Sequence, residues 1–109
     1  MSMECKYSNG RPTQSATEQI AYLVDCTNWT ESPTGPVVDY VFDETSGSDV
    51  KATVMPSGSP SVTNAVLTLP LLQSLTVGRR YRVEFHLTGD NNNRLEAHIR
   101  VECTTVSTS

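Results

Sequence analysis

The sequence has few of the residues on which catalysis and nucleic-acid binding usually depend. Only two of its 109 residues are histidine, and aromatic residues make up 6%. Eight basic residues stand against twelve acidic ones, whereas a nucleic-acid-binding surface needs an excess of basic groups to release counterions. No apolar run approaches the roughly 18 residues that a membrane-spanning helix needs. We therefore expect neither nucleic acid nor a membrane as a partner.

Motifs of common enzymes are also missing from the sequence. It contains no G-x-S-x-G nucleophile motif, no G-x-x-x-x-G-K phosphate-binding loop and no G-x-G-x-x-G dinucleotide motif. Its carboxylates are scattered along the chain rather than paired. We expect a protein that is not an enzyme, with no catalytic residues, no cofactor and no metal ion.

The strongest pattern present is an alternation of apolar and polar residues on both sides of a polar tip at residues 88–93. The apolar positions of each arm share one side, and they are Tyr81, Val83, Phe85 and Leu87, then Leu95, Ala97, Ile99, Val101 and Cys103. A period of two is typical of strands with one solvated face. This segment therefore predicts the central hairpin of a small β-sandwich.

Shorter alternating runs precede the hairpin and are separated by segments rich in Gly, Pro and Ser. They predict strands over residues 18–29, 37–43, 49–55 and 62–69. The predicted inward sets are Ile20, Tyr22, Val24 and Cys26, then Val38, Tyr40 and Phe42, then Val50, Ala52 and Val54, and finally Ala65, Leu67 and Leu69. Short strands between turns, without helical periodicity, predict an all-β antiparallel sandwich of about seven strands. We expect Trp29 to close one end of it.

One domain is expected, over residues 18–103. Residues 1–17 would form an N-terminal arm, either a loose tail or a segment that orders against a neighbouring subunit, and residues 104–109 a C-terminal tail. The first residues lack the apolar core of a signal peptide, so we expect synthesis in the cytoplasm.

Leu75, Gly78 and Tyr81 lie three residues apart, directly before the first hairpin strand. This spacing resembles the corner of fibronectin type III and related immunoglobulin-like domains. In that corner the Leu packs into the core, the Gly permits a tight crossover and the Tyr hydroxyl bonds to upstream backbone. The resemblance implies an immunoglobulin-like sandwich and a structural role for Tyr81.

The two histidines allow one metal-binding interpretation. If Asp90 pairs with Arg94 across the tip, His86 faces His98, and two imidazoles with carboxylates nearby could hold a divalent metal. The interpretation that we favour is a solvated face whose opposite charges fix the strand register.

Two further groups have a functional and a structural interpretation. The oxygens of Asp43, Glu44, Ser48 and Asp49 could bind calcium, but we favour ordinary turn chemistry. The three cysteines, Cys5, Cys26 and Cys103, lack metal-like spacing. Cys26 and Cys103 are either bridged or, as we favour, free thiols.

Several segments together resemble a known group of proteins. Residues 22–29, the strand start at Asp49–Val50, the Gly/Ser/Pro segment 56–60 and residues 75–81 are similar, in order and spacing, to small proteins encoded among the structural genes of tailed bacteriophages and prophages. Those proteins usually have an aromatic residue in place of Cys26 and often end at the last strand, whereas this chain adds an arm and a tail.

This resemblance covers residues 18–103 and implies a non-enzymatic virion or virion-assembly component at the head, neck or tail. Its partners would be other virion proteins or further copies of itself, and its location the virion, after synthesis in the host cytoplasm. No functional residues are implied. The alternative is a free-standing immunoglobulin-like module that binds a surface protein or a glycan.

The corner predicts the effect of removing the Tyr81 hydroxyl. Tyr81→Phe should lower the free energy of unfolding by about 1 kcal/mol or more, because a buried hydrogen bond is lost. Denaturant unfolding of the two proteins measures the difference. Unchanged stability would count against the corner.

Overall fold

The computed structural model describes residues 6–7, 13–26 and 32–104. These residues form nine strands and one helical turn. The elements are β1 (Lys6–Tyr7), β2 (Thr13–Ser15), β3 (Leu23–Asp25), β4 (Thr34–Asp43), β5 (Ser48–Asp49), α1 (Lys51–Val54), β6 (Ser61–Thr63), β7 (Val66–Thr68), β8 (Arg80–Thr88) and β9 (Arg94–Thr104).

The strands make two sheets, one in the order β1-β3-β7-β6 and the other in the order β2-β9-β8-β4-β5. All strand pairs are antiparallel except β2 with β9, which is parallel. The order β1-β3-β7-β6 corresponds to strands A-B-E-D of an immunoglobulin-like sandwich, and β9-β8-β4-β5 corresponds to G-F-C with an added C′, while β2 extends the second sheet beside β9. The predicted all-β sandwich is confirmed, with nine described strands rather than about seven.

The long hairpin β8–β9 supplies much of the core. Its predicted inward positions are buried, with Tyr81, Val83, Phe85 and Leu87 at most 2% exposed, and only Ala97 is half-buried. Strand β3 is shorter than predicted, yet Tyr22, Val24 and Cys26 lie in the core as expected. Trp29 lies outside the described residues.

The predicted corner is present between β7 and β8. The backbone N–H of Thr76 donates to the Tyr81 hydroxyl over 2.8 Å, and Leu75 is buried. Gly78 has a φ of +87° with open space where a Cβ would stand. Glycine is therefore required at position 78 because φ is positive there, and not because a side chain would clash with neighbouring atoms.

The predicted strand over residues 49–55 is wrong. Only Ser48–Asp49 pair with β4, and Lys51–Val54 form a helical turn that buries Val54 and leaves Ala52 exposed. The Asp49 carboxylate accepts from the N–H groups of Val41 and Lys51, over 3.2 and 3.1 Å. A short acidic side chain that bonds to nearby backbone competes with the strand ladder and ends it.

The predicted strand over residues 62–69 is a hairpin, β6–β7. Its two turn residues, Asn64 and Ala65, have φ values of 52° and 63°, as a type I′ turn requires. Asn is common in this conformation, but Ala is not, because its Cβ crowds the backbone. Without a glycine the turn has little sequence signal, and the predicted inward position of Ala65 is wrong.

The interpretation of residues 1–17 as a separate arm also needs correction. Lys6–Tyr7 pair with β3, and Thr13–Ser15 pair with the last residues of β9, so both segments belong to the sheets. At the other end, β9 continues to Thr104. The remaining residues of the predicted arm and tail lie outside the described part.

Gln14 attaches β2 to the segments that precede β3 and follow β7. Its side chain is fully buried, donates to the carbonyls of Leu72 and Glu18 over 2.6 and 2.9 Å, and accepts from the Tyr22 hydroxyl over 2.8 Å. Because these partners lie in two segments, the β2–β3 connection and the chain after β7, one amide fixes β2 against the core.

Cys26 and Cys103 are both free and buried. The interpretation of both as free thiols, without a bridge between them, is therefore confirmed. Cys5 lies outside the described residues.

Replacing the buried amide tests its role. Gln14→Leu should lower the free energy of unfolding by about 2 kcal/mol or more, because the Tyr22 hydroxyl and the Leu72 carbonyl lose a buried hydrogen-bond partner. Gln19→Leu is the matched control, since Gln19 is exposed. Equal stability of the two variants in denaturant unfolding would contradict this role.

Candidate functional site

The outer face, defined as the side of the five-stranded sheet turned away from the other sheet, is shaped by a bulge in β4. Val38 faces Phe85 and Tyr40 faces Glu84, so Asp39 is an extra residue without a partner in β8. A bulge shifts the alternation that follows it. As a result Val38 and Val41 are buried, whereas Tyr40 is 47% exposed.

The predicted inward positions of Tyr40 and Phe42 are therefore wrong. Both rings stack on the outer face, with centroids 5.2 Å apart and an interplanar angle of 23°. The guanidinium of Arg82 lies 5.5 Å from the centre of the Phe42 ring. Packed rings with one exposed surface and an adjacent Arg have the composition of energetically important protein contacts.

A second irregularity lies at the start of β4, which includes residues that the sequence assigned to a connection. The register shifts between Thr34 and Val37, around Gly35 and Pro36. Proline is tolerated here because β5 pairs only with Phe42 and Asp43, which leaves this part of β4 at a sheet edge.

The hairpin register differs from the one that would bring the histidines together. Thr88 pairs with Arg94, while Gly89 and Asn93 close the tip by a 2.8 Å backbone bond. Asp90 therefore lies within the loop. His86 faces Glu96 instead of His98, so the two imidazoles do not form a cross-strand pair.

This register places two like charges opposite each other, Arg82 and Arg100. The carboxylate of Glu44, from the turn after β4, lies 3.8 Å from Arg82 and 3.4 Å from Arg100. Arg82 is also 2.9 Å from Glu84. The repulsion expected for a directly opposed like-charged pair is offset by a residue from a third segment.

On the outer face, the His86 side chain forms a hydrogen bond with a neighbouring carboxylate. Its Nδ1 donates to the Asp39 carboxylate over 2.8 Å, and Arg94 lies 3.6 Å from the same carboxylate and 2.6 Å from Glu96. A shallow concavity of about 400 Å³ lies beside this group, with Tyr40 on its wall. Within the described ranges, no three His, Cys, Asp or Glu side chains are arranged to hold a metal ion.

The two aspartates considered as calcium ligands, Asp43 and Asp49, instead bond to other groups of the protein. Asp43 is buried, pairs with Arg79 and accepts from the N–H groups of Thr45 and Ser46 over 2.9 and 3.4 Å. Burial by itself raises the pKa of Asp43, but these bonds outweigh it and hold the pKa below its usual value. The turn interpretation is thus confirmed for Asp43 and, from its backbone bonds, for Asp49.

Sequence reasoning gave no site residues and missed the cluster of Tyr40, Phe42 and Arg82. The run from Val37 to Phe42 has apolar residues at consecutive positions. In such a run either the odd-numbered or the even-numbered residues could face the core. Only the pairing with β8 therefore decides which side chains face outward.

A scan against protein-family models gives no match, and a search of curated proteins finds no significantly similar relative. Among the described residues, no helix is long and apolar enough to cross a bilayer.

The carboxylate of Asp43 predicts a pH dependence. A lowered pKa in the folded state contributes stability above the unfolded pKa, and this contribution is lost as the pH falls through the folded value. The stability difference between the wild type and Asp43→Asn should therefore shrink as the pH falls from about 5 to about 2. Urea unfolding across this range measures it.

Asp90→Asn removes one negative charge at the exposed hairpin tip and serves as the matched control. If the difference between the wild type and Asp43→Asn stayed constant over this pH range, the assignment to Asp43 would be wrong.

Proposed function

We propose that this protein is a non-enzymatic structural or assembly component of a bacteriophage particle, and that its outer face makes the protein–protein contacts. The observation that carries the contact role is the exposed ring of Tyr40, which stacks on Phe42, whose ring in turn lies beside the Arg82 guanidinium. A ring that is already fixed loses little conformational entropy when a partner covers it.

The surroundings of Tyr40 support recognition of a protein surface. Charged groups of both signs encircle the aromatic cluster, including Arg82, Glu84, Arg94 and Glu96. An apolar centre with a polar rim is the usual arrangement of a protein interface. The edge of β4 is less suited to contact by strand addition, because two bulges and Pro36 interrupt it.

The biological setting rests on the resemblance of residues 18–103 to small virion proteins. The immunoglobulin-like strand order agrees with the fold that this resemblance implies. The outer face adds a surface that the resemblance did not specify.

The test is association with phage particles. The full chain, carrying a small tag, is expressed in the source bacterium while its phage is induced, and the particles are separated by density-gradient sedimentation. The wild-type chain should sediment with capsids or tails. Tyr40→Ala should reduce the particle-bound fraction about tenfold, as expected for the loss of a central interface aromatic.

Leu71→Ala is the matched control, since Leu71 is a 42% exposed apolar residue outside the outer face. It should leave the particle-bound fraction unchanged. A chain that never sediments with particles, yet binds a glycan array through Tyr40, would overturn the virion role and support the alternative binding module.

A further inference from the structure

A second surface lies along the edge of β4 that does not pair with β8. It is a groove of about 350 Å³ between this edge and the loop that follows α1. Val38 and Met55, only 4% and 5% exposed, contribute to its apolar lining. Four prolines from three parts of the chain also line it, and they are Pro36, Pro56, Pro60 and Pro70.

Prolines restrict the backbone conformations available to the walls of this groove. A proline ring fixes its own φ, and it also restricts the residue before it. Gly58 in the same loop has a φ of +90°, and a Cβ there would lie 3.4 Å from the Cβ of Pro70. The loop is thus fitted closely against Pro70, and a preformed groove binds with a smaller entropy cost than one that must first order.

The groove is suited to side chains more than to an added strand. The bulges of β4 interrupt the regular spacing of backbone groups along its edge, and Pro36 has no N–H to donate. Lys51 is the single charged residue in the lining, and among the described residues it has no ion-pair partner.

From these observations we infer that the groove binds an extended segment of a second protein, in which bulky apolar side chains are followed by a carboxylate. The apolar side chains pack against Val37, which is 45% exposed, and against the prolines, and the carboxylate pairs with Lys51. This inference does not rest on the outer face. If both surfaces are used, the chain bridges two neighbours.

The test uses two capped hexapeptides that differ at one position. The first has leucine, phenylalanine and aspartate at its centre, and the second has lysine in place of the aspartate. Each is titrated into the isotope-labelled full chain and followed by amide chemical shifts. The first peptide should shift Val37, Lys51 and Gly58 saturably, with a dissociation constant of about 1 mM or tighter.

The lysine peptide should bind about threefold more weakly, as expected for the loss of one exposed ion pair. In Lys51→Glu this preference should reverse, whereas Tyr40→Ala, which alters only the outer face, should bind both peptides as the wild type does. Lack of saturation by the first peptide, shifts confined to other residues, or a preference unaffected by Lys51→Glu would each overturn the inference.

The two proposals fail separately. The particle association of Tyr40→Ala tests only the role of the outer face, while the peptide preference of Lys51→Glu tests only the role of the groove. A wild-type chain that binds the first peptide but never sediments with particles would retain the groove and contradict the virion role.

Discussion

The pairing of β8 with strands on both of its sides is the constraint on which this sandwich depends. Through its backbone β8 holds β4 and β9, and through its side chains it fills the core with Tyr81, Val83, Phe85 and Leu87. Once these residues face inward, the residues between them must face outward, because alternate side chains leave a strand on opposite sides. The register of both neighbours then decides which groups meet on the outer face.

The irregularities of β4 turn this regular sheet into a surface with distinct regions. The bulge at Asp39 moves Tyr40 and Phe42 from the core to the outer face, and the shift around Gly35 and Pro36 interrupts the free edge. Both irregularities disrupt the backbone hydrogen bonds of β4 locally. As a result, the exposed aromatic cluster and the proline-walled groove lie on different sides of one strand.

Buried polar groups fasten the ends of the sandwich. Gln14 attaches β2 to Tyr22, directly before β3, and the pair of Asp43 with Arg79 holds the end of β4 against the start of β8. Gln14 and Asp43 lie away from water, so each depends on its partners for its hydrogen bonds. Neither contact follows from local pattern, since its members are 8 and 36 residues apart in the chain.

The sequence by itself determined the all-β class, the core side of β8 and β9, and the corner at Gly78 and Tyr81, because strand period and corner spacing are local properties. The tertiary structure alone decided the register of the hairpin, the position of Asp39 in a bulge, the helical turn after Asp49 and the incorporation of residues 13–15 into a sheet. The register, the bulge and the position of residues 13–15 depend on which distant backbone groups pair, and the alternation of apolar residues fits more than one pairing. The helical turn depends on the bonds of the Asp49 carboxylate to the backbone of Val41 and Lys51. The candidate site depends on those choices, which is why Tyr40 became recognisable only in the folded chain.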